Sequence, residues 1–363
     1  MTDGKTTDQV LANWVRQALN LPGNAELTLI AGDASPRRYF RLSLPPASPL
    51  GVKTLVAVSS PPTEKNAEFL TVRKLLQDGG VRVPELIAAD LNQGFMVLED
   101  LGNDTLLPLL SEYSAGVWYA KGLNILADLV AMDHSDQELA PYNAPLLQQE
   151  LDLFPLWFVQ ELLGLGLTRA QSSLFNGLSE VLIKSALSQP KALVHRDFHS
   201  RNLMVLNNAD LAVIDFQDAV VGPITYDPVS LLKDCYIHWP RDRQLAWLAD
   251  YQGILEQREV MSPVPYKQFV QWFDLMGLQR HIKVLGIFAR LYLRDEKPGY
   301  LSDLPLVMAY TREALALYAE QDASIGAFRD WFEAEVVPAC RQQAWFSSAF
   351  EDWAALAVAP NKR

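Results

Sequence analysis

Residues 193–218 read LVHRDFHSRNLMVLNNADLAVIDFQD, and no other stretch restricts the fold of this chain as strongly. Two short apolar runs, Leu203–Leu206 and Leu211–Ile214, flank the turn residues Asn207, Asn208, Ala209 and Asp210. That pattern predicts a hairpin, and a hairpin returns its far end toward its start. Asp215 is therefore expected to come back to the loop that holds Asp197 and Asn202. An ionised carboxylate within hydrogen-bond reach can orient a hydroxyl. A further carboxylate and an amide oxygen suit magnesium, which prefers oxygen ligands and usually keeps several waters. Asp197 takes the first role by position, and Asn202 and Asp215 the second. A solvated loop with incidental acids accounts for one of these residues, not for the set.

His195, Arg196, Asp197 and Asn202 together match the kinase catalytic-loop pattern H-R-D-x-x-x-x-N, and Asp215-Phe216-Gln217 stands where protein kinases carry D-F-G. Phosphoryl transfer is mostly positioning plus charge neutralisation, so the expected cofactors are ATP and Mg2+. His195, next to the apolar Leu193 and Val194, reads as a packing and hydrogen-bonding support. His199 is placed either to reach the acceptor or to support Asp197. Asp218 and Asp227 read as carboxylates that brace the loop, with a surface role an alternative that suits Asp218 better.

Bulk properties limit what else the chain can be. A hydrophobic share of 49% with 20% charged residues fits a soluble globular protein. The net charge of -12 argues against a nucleic-acid partner. Two cysteines make no disulfide framework, and neither a secretory signal nor an uncharged run of transmembrane length is visible. These readings point to the cytoplasm and to no membrane partner; oligomeric state is not readable.

Apolar spacing predicts a helix over 9–20 and another over 64–77. Short β-like runs begin at Leu27, Arg37, Thr54, Leu86 and Gly94. After Leu101 the pattern turns helical, near 114–132, 145–163 and 169–187, and again over 229–358. The expectation is an α+β, two-lobed, protein-kinase-like fold. Residues 1–101 form a small antiparallel-sheet N-lobe that binds nucleotide, and 102–363 form a larger helical C-lobe. Nucleotide should bind in the cleft at that change of pattern.

Residues 32–38 are the expected phosphate-covering loop, in which Ser35, the loop amides and Arg37 or Arg38 can hold phosphate oxygens. With a single glycine it also fits an ordinary hairpin turn with basic flanks. The third strand, TLVAVSS, has no lysine for the phosphates. Arg37 or Arg38 is the candidate replacement, with Glu68 as the helix carboxylate. Its absence leaves open a pseudokinase that binds nucleotide without turnover. Leu98 and Asp100, in the segment between lobes, are the backbone candidates for adenine.

The segments GDASPRRYFRL, MVLEDLG, VHRDFHSRNLMVL, IDFQDAVVGPITYDPVSLLKDCY and MGLQRHIKVLGIFARLYLRDEKPGYL span most of the chain. In them the chain resembles the aminoglycoside phosphotransferase and choline kinase superfamily, and more narrowly the bacterial N-acetylmuramate/N-acetylglucosamine anomeric kinases. The resemblance implies ATP with magnesium and transfer to the anomeric hydroxyl of an amino sugar. It gives Asp197 the catalytic role and Asn202 and Asp215 the metal roles. An aminoglycoside, choline or another alcohol is the alternative acceptor, though Arg196 stands where many antibiotic kinases have Gly. Glu150, Phe154 and Trp157, spaced for one helix face, offer a carboxylate and an aromatic wall to a sugar; such stripes are also core. Asp234, Tyr236 and Trp239 are further acceptor candidates. Arg280, His281, Lys283, Arg290 and Arg294 are positioned either to take a lactyl carboxylate or to pair with Asp274, Asp295 or Glu296.

Overall fold

The structure, a computed structural model, describes residues 2–21, 26–30, 36–45, 48, 50–61, 63–135 and 139–347. Contacts divide the chain into two compact units: Met1–Asp104 with Leu203–Asp218, and Thr105–Asn202 with Ala219–Arg363.

The first unit opens with α1 (Thr2–Ala18) and then alternates strand and turn: β1 (Glu26–Leu29), β2 (Arg38–Ser43), β3 (Thr54–Ser59), α2 (Asn66–Asp78), β4 (Leu86–Asp90) and β5 (Phe95–Glu99). The strands form one antiparallel sheet in the order β1-β2-β3-β5-β4. Alternate residues of a strand share a face. Phe40 and Leu42, Leu55 and Ala57, and Phe95 and Val97 accordingly build one apolar surface, capped by Leu11 and Val15 of α1. On α2 the buried positions Asn66, Phe69, Val72 and Leu76 follow helical spacing.

The second unit carries α3 (Ala115–Ala131), α4 (Ala144–Leu151), a π-helical segment (Phe154–Leu162), α5 (Arg169–Leu187) and β6 (Lys191–Val194). The predicted hairpin is present as β7 (Leu203–Val205) and β8 (Leu211–Val213), and belongs to the first unit. Its strands are tied there by Val205 N–H donating to Asp104 O (2.7 Å) and Val213 N–H donating to Arg82 O (2.8 Å). The chain then re-enters the second unit at β9 (Val220–Pro223), which pairs antiparallel with β6. Helices α6 (Tyr226–Leu232), α7 (Arg241–Gln257), α8 (Tyr266–Leu293), α9 (Leu304–Tyr318), α10 (Ala323–Trp331) and α11 (Val337–Arg341) complete it.

Where spacing predicts one helix over 145–163, the structure has α4 and the π segment. Pro155 has no N–H to continue an α ladder, and a wider i→i+5 pattern follows it. Phe154 instead stacks with Phe158, Phe175 and Phe332 in the helical core, and Trp157 packs partly buried against the same core. Helix α8 passes close by because Gly286 has no side chain; a Cβ there would sit 2.4 Å from the Leu153 carbonyl carbon. The middle of α8 is buried, and it carries Arg280, His281 and Lys283 inside. The helical remainder expected to 358 is described as far as 347. No helix of the described residues is long and apolar enough to cross a membrane.

Candidate active site

Burial of strand β6 delivers His195 to the interior, and the chain then turns through Arg196 at φ 76. A left-handed backbone is costly for a side-chain-bearing residue and tends to mark functional sites. It is held from both sides here. The Arg196 N–H donates to Asp227 Oδ1 (3.0 Å) and the His195 N–H to Asp227 Oδ2 (2.7 Å), while the Arg196 carbonyl accepts from Arg280 Nη1 (2.9 Å). Asp227 is buried, and burial pushes its carboxyl up to about 6. His195 Nδ1 accepts from the Asp197 N–H (3.2 Å), and its ring meets Phe198 edge-on.

Below Asp197 the loop closes on itself. His199 N–H donates to Asp197 O (2.9 Å) and Asn202 N–H to His199 O (2.9 Å). Asn202 Nδ2 also donates to Asp197 O (3.0 Å), which fixes the direction of the amide. Asp234, buried, accepts from the N–H (2.9 Å) and Oγ (2.5 Å) of Ser200 and from the Tyr236 N–H (3.0 Å). Both of its oxygens are thus engaged in bracing the loop. His199 meets the Tyr236 ring edge-on at 5.3 Å.

Around Asp197 lies a cationic cluster. Arg280 Nη1 is 3.8 Å from its carboxylate, and 43% of the Asp197 side chain is exposed. Desolvation by the surrounding helices pushes this carboxyl up. Arg280, Lys283, His199 and Arg196 outweigh that and hold it down at about 2. Lys283 Nζ donates to Glu150 Oε1 (2.9 Å) and to Tyr226 Oη (3.0 Å). Arg196 Nη2 donates to the same Glu150 oxygen, and the Tyr142 hydroxyl to the other. Burial opposes ionisation of Glu150, but Lys283 and Arg196 keep its pKa below the usual range. Glu150 is thus placed inside the cluster. The pairings expected for the basic residues of α8 divide: Arg294 pairs with Asp295 (2.8 Å), and Asp274 takes Lys233 (3.2 Å) and Arg241 (2.6 Å).

In the first unit, Asp215 stands exposed at φ 64 just after β8, and its Oδ1 accepts from Gln217 Nε2 (2.9 Å). The next residue, Phe216, is buried and stacks on Phe69 of α2 at 4.8 Å. Arg37 is buried, donates to Ser60 Oγ (3.1 Å) and Asn66 Oδ1 (3.5 Å), and lies over the Phe69 ring. Tyr39, raised by burial, feels both Arg37 and Asp215. Glu68 lies on the exposed face of α2; the residue of that helix that meets Arg37 is Asn66. Arg38 is engaged by Asp8 (2.6 Å), and Asp100 by Arg41 (2.6 and 2.9 Å). Leu98 is buried in β5, and Asp218 pairs with Lys65 (2.6 Å) at the surface. Ser35 lies outside the described residues.

Sequence reasoning missed Tyr142 and Tyr226, which complete the cluster, and the convergence of Arg280 and Lys283 on the Asp197 loop. The available signal was three basic residues, Arg280, His281 and Lys283, within one turn of a helix and next to the apolar run Val284–Ala289.

The chain is also similar to known proteins. Residues 26–264 match the model of the phosphotransferase enzyme family. An N-acetylmuramate/N-acetylglucosamine kinase from Pseudomonas putida is 39% identical over 317 residues, covering 85% of this chain and 91% of the relative. A protein of the same name from Neisseria meningitidis serogroup B is 39% identical with the same coverage. Among solved structures, an ADP-bound aminoglycoside phosphotransferase superposes with a TM-score of 0.56 at 17% identity, covering 85% of this chain and 99% of that one. The choline kinase LicA from Streptococcus pneumoniae gives 0.57 at 13% identity, covering 89% and 99%. The fold is therefore protein-kinase-like, and the chain belongs to the phosphotransferase enzyme family, alongside the N-acetylmuramate/N-acetylglucosamine kinases.

Proposed function

We propose that this enzyme transfers the γ-phosphoryl group of ATP to the anomeric hydroxyl of N-acetylmuramate or N-acetylglucosamine, giving the sugar 1-phosphate and ADP. The observation that carries the reading is Asp197: ionised, partly open to solvent, and fixed by a loop braced at Asp227 and Asp234. With its carboxyl at about 2, Asp197 is a weak base. Its work is to accept a hydrogen bond from the C1 hydroxyl and aim that oxygen at phosphorus. In a loose transition state the proton leaves late, so orientation counts for more than basicity.

Asn202 and Asp215 supply an amide and a carboxylate, hard oxygen donors of the kind magnesium takes. When bound, the metal neutralises charge developing on the phosphates. Arg37 is the cation of the first unit best placed to act beside Asp215, since both bear on Tyr39. With Ser35 and Arg38 it is assigned to the phosphates, and the Leu98 and Asp100 backbone to adenine. We place the reaction in the cytoplasm, where ATP is available; Cys235 and Cys340 are both buried and unpaired.

The test is ADP release by the purified protein in Mg-ATP with N-acetylmuramate, with N-acetylglucosamine and with no acceptor. Acceptor-dependent turnover on both sugars is expected. ATP binding without turnover on either sugar sinks the reading.

A further inference from the structure

The two sugars of the proposed reaction differ by one group: N-acetylmuramate carries a lactyl ether, and hence a carboxylate, at its third carbon. A site that recognises that group needs a cation near the acceptor whose hydrogen-bonding edge is not already used. The cations closest to Asp197 do not qualify. Lys283 and Arg196 are both taken by Glu150, and Arg280 is spent on the Arg196 carbonyl and the Tyr226 hydroxyl. These groups also bear on Asp197 itself, at the reacting end of the sugar. Arg290 is ten residues past Arg280, about 15 Å further along α8, and Arg294 is paired with Asp295.

Arg201 is different. It lies on the catalytic loop, four residues after Asp197 and next to Asn202, and it is partly exposed. Its guanidinium lies over the Tyr236 ring at 3.6 Å. Among the described residues it has no hydrogen-bond or ion-pair partner. Tyr236 is itself fixed, buried beneath the arginine, stacked on Phe288, met by the His199 edge and held through Asp234. A guanidinium stacked on an immobile ring has lost most of its conformational freedom already, so its planar fork can take a carboxylate at small entropic cost. In an acidic protein with a net charge of -12, an arginine left unpaired beside the reaction loop is out of keeping with the general surface.

We propose that Arg201, presented by Tyr236, is the carboxylate-recognition residue of the acceptor site and sets the preference for N-acetylmuramate over N-acetylglucosamine. This rests on the sugar-kinase reading above. The C1 hydroxyl meets Asp197, the pyranose ring crosses the loop, and the lactyl carboxylate reaches the Arg201 fork.

The experiment compares kcat/KM for N-acetylmuramate, its methyl amide (carboxylate masked) and N-acetylglucosamine, in the wild type and in Arg201→Met. Masking the carboxylate is expected to lower wild-type kcat/KM by about 10- to 100-fold, the range of a charge-assisted pair. In Arg201→Met that loss should shrink to within about threefold, and the N-acetylmuramate to N-acetylglucosamine ratio should fall by the same factor. Arg201→Lys keeps the charge but not the fork, so an intermediate ratio is expected; it also carries the test if the Met variant fails to fold. Wild-type turnover on both sugars, with the masking penalty undiminished in the variants, overturns the assignment of Arg201 and leaves the sugar-kinase reading standing. Wild-type turnover on neither sugar overturns both.

Discussion

Asp197→Asn should lower kcat by about 10²- to 10⁴-fold, the usual range for a positioned acid–base group, with ATP affinity unchanged. The amide keeps the size of the carboxylate but loses the charge that Arg280 faces at 3.8 Å. It also offers an N–H₂ edge that can meet the acceptor hydroxyl as a competing donor. Wild-type turnover by a folded Asp197→Asn protein would remove Asp197 from the chemistry. The cationic cluster adds a pH dependence whose sign follows from its charges. Asp197 works ionised, so its contribution disappears only as pH falls through about 2. In Arg280→Met the cation with the strongest hold on Asp197 is gone while desolvation remains. The carboxyl must then titrate higher, and the acid limb of kcat/KM moves up toward or past the ordinary aspartate value of about 3.9. A pH profile of the two proteins with an unmoved acid limb would separate Arg280 from the ionisation of Asp197.

Much of this was legible because it is local. His195 to Asn202 lies in a single loop, and its chemistry can be read from spacing. The hairpin after it is two apolar runs about a polar turn, which is also a short-range signal. The sheet of the first unit was equally accessible, since Phe40, Leu42, Leu55 and Ala57 alternate as strands require. What could not be read depends on side chains meeting across long separations. Glu150 and Lys283 are 133 residues apart, and nothing in the spacing of LQQELDLF or in a basic helix says that each completes the other. Spacing puts Glu150 on one face with Phe154 and Trp157, and gives no sign that its carboxylate is engaged by Lys283, Arg196 and Tyr142. Asn66 rather than Glu68 meets Arg37 because the first turn of α2 faces inward at 66 and outward at 68. The left-handed turn at Arg196 has no sequence signal either, since glycine is the residue expected there.

Glu150→Gln should destabilise the second unit by about 3–5 kcal/mol, as expected when a buried ion pair loses one partner. Glu150 is buried between Lys283, with 7% of its side chain exposed, and Arg196, with 16%, so solvent cannot screen what remains. The glutamine leaves two cations without a countercharge and turns a donor toward one of Lys283, Arg196 and Tyr142, all of which now donate to Glu150. Lys283→Met alone should cost less, because Arg196 still neutralises Glu150. The double variant should therefore unfold at a denaturant concentration above that expected from adding the two single losses, since the methionine removes one of the cations that the glutamine strands. Strict additivity in urea unfolding would mean that the two side chains do not share a charge. Turnover gives a second readout. Arg196 and Lys283 both help to keep Asp197 ionised, and freed from Glu150 they can turn toward it. The folded fraction of Glu150→Gln should therefore keep the low acid limb of the wild type while losing stability, whereas Arg280→Met raises that limb. Glu150 is engaged by Lys283, Arg196 and Tyr142, and its substitution is expected to leave the ratio of KM values for the two sugars as it is in the wild type.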